Sequence, residues 1–163
     1  LPDLPQRKVG IIACSGEELT EGTVSRQAAL KVLGELRSGK TVTICLPLFL
    51  AGGEGDRAFA RTHPTIALDG CEKRCAFRGT EMYSHRPAAG FVVTELVARC
   101  DLKQPHGRRK LDGAGMVAVD VLARQVAEKV DELLGGDWSS RVGVLEEPGA
   151  TAEGATCACG SRK

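Results

Sequence analysis

Lys8-Val9-Gly10-Ile11-Ile12-Ala13-Cys14-Ser15-Gly16 decides how the rest of the chain is read. Its apolar, β-branched residues run on without the polar alternation of a half-exposed strand and stop at a Ser-Gly turn, so the segment reads as a strand covered on both faces. Such strands belong to parallel sheets, whose crossovers are usually helices. Working outward, residues 23–36 place Val24, Ala28, Val32, Leu33 and Leu36 on one helical face, with Arg26, Lys31 and Glu35 elsewhere. Residues 41–46 (TVTICL) form a second strand stopped by Pro47, and Thr65-Ile66-Ala67-Leu68 a third. Between them lie an apolar, glycine-rich stretch at 48–55 and a weakly helical one at 56–62. Asp69 is expected to cap a helix over 71–83, and residues 90–96 (GFVVTEL) to form a fourth strand after the turn at Pro87. From Asp112 onward, Val117, Val121, Leu122, Val126, Val130, Leu133 and Leu134 recur at helical spacing until Gly135-Gly136 ends the run. The expected architecture is a three-layer α/β domain with a mostly parallel sheet of about four strands flanked by helices.

The 163 residues suit one domain with a core large enough to fold without disulfide staples, expected over residues 1–145. Residues 146–163 lose apolar periodicity and are expected to be a flexible tail carrying Cys157 and Cys159 as a CxC pair. Lysine plus arginine (22) nearly balance aspartate plus glutamate (21), so no positive field draws in nucleic acid or anionic lipid. No apolar run reaches the roughly 18 to 20 residues that cross a bilayer, and no membrane partner is expected. The first residues, Leu1-Pro2-Asp3-Leu4-Pro5, do not form an export signal, which makes a cytoplasmic location the expectation. In that reducing compartment seven cysteines, an odd number, read as thiols or metal ligands before disulfides. The basic stretch at 102–110 reads as a solvated loop.

A buried cysteine by itself is a small hydrophobe and needs no function. Cys14, Cys45 and Cys71, however, each fall at or just beyond the C-terminal end of a different expected strand, the edge where parallel α/β sheets gather ligands. Cys75 lies four residues after Cys71, which on a helix would set the two side chains on one face about 5 to 6 Å apart. Four thiolates suit a tetrahedral zinc ion, with sulfur at about 2.3 Å, and suit an iron–sulfur cluster equally. A redox or sulfur-handling pair at Cys71 and Cys75, assisted by Cys14 or Cys45, is the reading from a different class. Cys100, four residues past the fourth expected strand, reaches the same edge only if its loop curls back. Of the three histidines, His85 is the one placed to be tested as a ligand. No nucleotide-binding glycine pattern and no Ser/His/Asp arrangement is present, so no reaction or catalytic residue is read from the sequence.

Taken in order, the stretch from Val9 to Gly16, Gly22 with Gln27-Ala28-Ala29, Cys45-Leu46 and the glycine-rich run to Gly55, Leu68-Asp69-Gly70-Cys71 with Cys75, and Val92 to Leu96 resemble the DGC-domain family, named for its central Asp-Gly-Cys. The resemblance implies four zinc-chelating cysteines, which map onto Cys14, Cys45, Cys71 and Cys75, and it implies no established reaction. In place of the family's Ala-Ser-Asn type loop the chain has Glu17-Glu18-Leu19-Thr20-Glu21, longer and more acidic. The expectation is a metal-binding protein with a four-thiolate site, structural or sensory, whose partner is the metal ion.

Overall fold

Ile11 and Ile12 are both wholly buried although they point to opposite faces of their strand, so the sheet that contains them is covered on both sides. The computed structural model describes residues 7–135; residues 1–6 and the expected tail with its CxC pair lie outside the described residues. Strands β1 (Val9–Ala13), β2 (Thr41–Thr43), β3 (Thr65–Asp69) and β4 (Ala89–Val92) form one sheet in the order β2-β1-β3-β4. Every pairing is parallel, with Ile11 opposite Thr43 and Ala13 opposite Leu68. The mostly parallel sheet expected from the sequence is therefore wholly parallel among the described residues.

Alternation along the strands sorts the helices into two layers. Val9, Ile11, Ile66 and Leu68 share one core with α1 (Thr20–Lys31, passing into a π-helical turn, Val32–Leu36), α6 (Val93–Arg99) and α7 (Gly113–Gly135). Ile12, Cys14 and Ala67 share the other with α2 (Leu46–Ala51) and α5 (Cys75–Tyr83), while two short turns, α3 (Glu54–Arg57) and α4 (Phe59–Thr62), complete that side. Gly10 makes room there, because a Cβ on it would stand 2.6 Å from the Phe59 ring. The single leftward crossover, β1 to β2, uses one face and the two rightward ones, β2 to β3 and β3 to β4, use the other, as right-handed βαβ units require.

The long helix keeps its expected span, and Val121, Leu122, Val126 and Val130 are buried as expected, joined by Ala118, Val119, Ala123 and Ala127, while Val117 is 52% exposed. Its small residues let α1 pack closely against it, and Lys31–Asp120 (2.7 Å) and Arg37–Asp131 (2.5 Å) join the two at the surface. Three boundaries differ from expectation. Strand β2 stops at Thr43, and Leu46 starts a helix with Pro47 in its first turn, where the missing amide costs nothing. Strand β4 stops at Val92, because Val93, Leu96 and Val97 follow at helical spacing and are buried by turning α6 onto the core. Helix α5 begins at Cys75, four residues later than expected, after a turn in which Arg74 is left-handed (φ 51°). None of the described helices is long and apolar enough to cross a membrane.

Candidate metal centre

The chain leaves β1 toward β2 on one side and leaves β3 toward β4 on the other, so these neighbours open a crevice beyond their C-terminal ends. Cys14 follows β1 and Cys71 follows β3 at this switch point, and Cys45 leaves the adjacent β2. Cys75 is the first residue of α5, reached through the turn after Cys71. The strand-end placement expected for the first three is thus what the fold gives. The shared helical face expected for Cys71 and Cys75 is not: Cys71 lies in the turn, where its carbonyl accepts the Arg74 amide at 3.1 Å, and only Cys75 belongs to the helix.

Cys14 is the buried member. Its amide prolongs the β1–β3 pairing by donating to the Leu68 carbonyl at 2.8 Å. Its Sγ accepts the Gly70 amide at 3.2 Å and lies 3.4 Å from Ser25 Oγ. Either the Cys14 thiol or the Ser25 hydroxyl can be the donor of that contact, and Ser25 Oγ also lies 2.7 Å from the Gly22 carbonyl, which ties the Cys14 sulfur to the first turn of α1. Burial pushes the Cys14 thiol up; the bonds to Ser25 and Gly70 oppose this, and the Asp69 and Cys75 charges add to it. With no cation at hand Cys14 therefore keeps its proton. Cys45 and Cys75 are exposed and Cys71 is half-buried. Cys14 and Cys45 line the same cavity of about 360 Å³.

Three glycines hold the loops of this edge together by close approach, not by unusual dihedrals, since the positive-φ glycines among the described residues are Gly39 and Gly107. A Cβ on Gly22 would stand 2.2 Å from the Gly16 carbonyl oxygen, one on Gly16 would stand 2.5 Å from Gly22 Cα, and one on Gly70 would stand 2.6 Å from Gly22 N. The loop after β1, the first turn of α1 and the loop after β3 thus touch backbone to backbone beside Cys14. Sequence reading gave Gly22 no physical role. The signal available was a lone glycine in the first turn of a helix that follows a Ser-Gly turn.

Asp69 directs Cys75. Its carboxylate, only 2% exposed as a residue, accepts the Ala76 amide at 2.7 Å and the Phe77 amide at 3.1 Å. It caps α5 from the end of β3, across the intervening turn, and so fixes where the helix begins. Burial raises its pKa, while those two amides and Arg74 act against the rise. The Arg74 guanidinium lies over the Phe77 ring at 4.1 Å, in space that Gly90 leaves open on β4.

The remaining candidates lie elsewhere. Cys100 caps the C-terminus of α6, about 10 Å of helix away from the strand ends, and is approached by Gln125 Nε2 at 3.9 Å. Its loop does not curl back to the thiol edge. His85 precedes β4 and so lies at the N-terminal edge of the sheet, opposite the strand ends that carry the cysteines, which takes it out of the ligand set; its Nδ1 lies 2.9 Å from the Arg86 carbonyl. Among the described residues no group of three or more His, Cys, Asp or Glu side chains stands close enough together to hold a metal ion as placed.

The DGC domain family matches residues 10–112, which takes in all four thiol-edge cysteines and leaves α7 outside. No curated protein and no solved structure shows significant similarity to the chain.

Proposed function

The chain belongs to the DGC-domain family, and from that premise we propose that it binds one thiophilic metal ion, zinc, through Cys14, Cys45, Cys71 and Cys75. The observation that carries the proposal is convergence on Cys14. Its sulfur takes the amide of Gly70, the residue before Cys71; it shares a cavity with Cys45; and Asp69, next to Gly70, holds the first turn of the helix that Cys75 begins. The donor chemistry fits, since soft sulfurs select zinc over the hard cations that oxygen donors prefer. Coordination requires the side chains to turn toward one another, and Cys45 and Cys75, being exposed, are free to do so. Zinc would supply a tetrahedral link between three strand-end loops while displacing the Cys14 proton. Four sulfur ligands leave no position for water, which favours a structural or sensory role over hydrolysis. Residence in a reducing cytoplasm, which keeps the thiols available, is part of the same proposal.

One feature favours a second reading. Cys71 and Cys75 stand at the two ends of the turn that enters α5, and Cys75 is exposed, which suits a Cys71/Cys75 dithiol–disulfide or persulfide couple. An iron–sulfur cluster would use the same four donors as zinc. Elemental analysis of anaerobically purified protein separates the three: about one zinc per chain, lost in Cys14→Ser and Cys71→Ser, supports the proposal. Iron with acid-labile sulfide replaces zinc by a cluster. Metal-free protein that forms a reversible Cys71–Cys75 disulfide replaces both.

A further inference from the structure

The basic side chains of the stretch at 102–110 are exposed, as a solvated loop requires, but the stretch is also tied to the rest of the fold. It lies against the loop after Cys14 and the start of α1: Thr23 Oγ1 donates to the Arg108 carbonyl, the Arg108 guanidinium is 3.6 Å from the Glu18 carboxylate, and Gln104 Nε2 donates to Glu21 at 2.5 Å. Arg108 and Arg109 thereby line a second cavity, of about 510 Å³, beside Ser15 and Thr23. Ser15, Glu17, Arg26 and Leu30 line both this cavity and the one at Cys14 and Cys45, so the two are continuous along the outer side of α1. The groove has thiols at one end and arginines at the other. Between them lies apolar surface from Leu30, Leu33 and Pro47, which accounts for a leucine left 60% exposed at position 30.

We propose that this groove binds a small amphipathic anion, its carboxylate or phosphate head between Arg26 and Arg109 and its apolar body extending along Leu30 and Leu33 toward Cys14 and Cys45. Arg26 and Arg109 have no hydrogen bond or ion pair among the described residues, whereas Arg108 is held by Glu18, so two guanidinium groups facing the groove are uncommitted. A guanidinium suits such a head because its planar donors match carboxylate and phosphate oxygens two at a time. An apolar trough ending in a few convergent polar groups is the usual form of a small-molecule site. Two carboxylates oppose the head: Glu18 lines the second cavity but is paired with Arg108, whereas Glu17 lines both cavities, has no cation partner among the described residues, and repels the anionic head. The proposal does not depend on a metal at the cysteines.

Calorimetric titration with hexyl phosphate, hexanoate, hexanol and hexylamine tests it on the full chain. Hexyl phosphate and hexanoate should bind, hexanol more weakly and hexylamine weakest. Arg26→Gln and Arg109→Gln should each weaken hexyl phosphate on the order of tenfold, the weight of one charge-assisted contact. Glu17→Gln should tighten it severalfold. Arg109 is exposed and lines only the second cavity, apart from Cys14 and Cys45, so Arg109→Gln should keep the wild-type zinc content. Competition by inorganic phosphate without any contribution from the alkyl chain would overturn the amphipathic part of the proposal. Absence of binding, equal binding of hexanol and hexyl phosphate, or indifference to both arginine substitutions would overturn it altogether.

Discussion

Replacing Gly22 by alanine separates positioning of the thiol edge from simple stability. The added Cβ would meet the Gly16 carbonyl oxygen at 2.2 Å and Gly16 Cα at 2.5 Å, against an ordinary contact of at least 3.4 Å. Both obstacles are backbone, so relief requires the loop after β1 and the first turn of α1 to part by more than 1 Å, carrying Ser25 away from Cys14. Overpacking of this kind costs about 1–3 kcal/mol, read from urea unfolding of the metal-free protein. Metal ligands tolerate displacements of only about 0.2 Å, so zinc affinity measured by competition with a chromophoric chelator should fall by about 10- to 100-fold. Gly34→Ala supplies the control. A Cβ there meets nothing within 4 Å and its φ is unexceptional, so it should raise stability by about 0.5–1 kcal/mol and leave zinc affinity alone. Wild-type affinity and stability in Gly22→Ala would refute the close-approach argument.

Leu122→Ala, deep between α7 and the sheet, should cost about 2–5 kcal/mol in denaturant unfolding, showing that the fold depends on a helix outside the family match. Asp69→Ala leaves two amides of the first turn of α5 without their acceptor and should destabilise by about 1–3 kcal/mol, with loss of amide protection at Ala76 and Phe77 in hydrogen exchange. Asp112 accepts the Gly115 amide at the start of α7 and the His106 amide, and these bonds hold its pKa below the ordinary carboxylate value. The unfolded state thus binds its proton more readily. The Asp112 contribution is present above the unfolded value and is lost as pH falls through the folded one, so Asp112→Ala should flatten that part of the acid limb of a melting-temperature profile.

The sheet was legible because its strands are short apolar runs separated by turn residues, and in parallel α/β chains such runs have few other uses. The strand-end position of Cys14, Cys45 and Cys71 followed directly. What was not legible depended on contacts distant in sequence or on left-handed backbone at a non-glycine residue. Asp69-Gly70 reads as a local cap, yet its carboxylate reaches over a turn to Ala76 and Phe77, and nothing in the type of residue at Arg74 announces a positive φ. Val92-Val93-Thr94-Glu95-Leu96 satisfies a strand pattern by its β-branching, but Val93, Leu96 and Val97 meet the core only when the chain turns helical after Val92. Cys45 looked like the end of a longer β2, whereas it precedes a helix that carries its proline in the first turn. The docking of Arg108 on Glu18 joins residues ninety positions apart, and no local pattern encodes it.

The most direct test of the four-thiolate claim is the absorption spectrum of the cobalt-substituted protein, because each cobalt–thiolate bond adds charge-transfer intensity and a tetrahedral site gives its own d–d bands. The account predicts that one cobalt per chain produces such a spectrum, that Cys14→Ser, Cys45→Ser, Cys71→Ser and Cys75→Ser each remove roughly a quarter of the charge-transfer intensity, and that Cys100→Ser removes none. Failure to bind cobalt, or an undiminished spectrum in any of the first four variants, would contradict it.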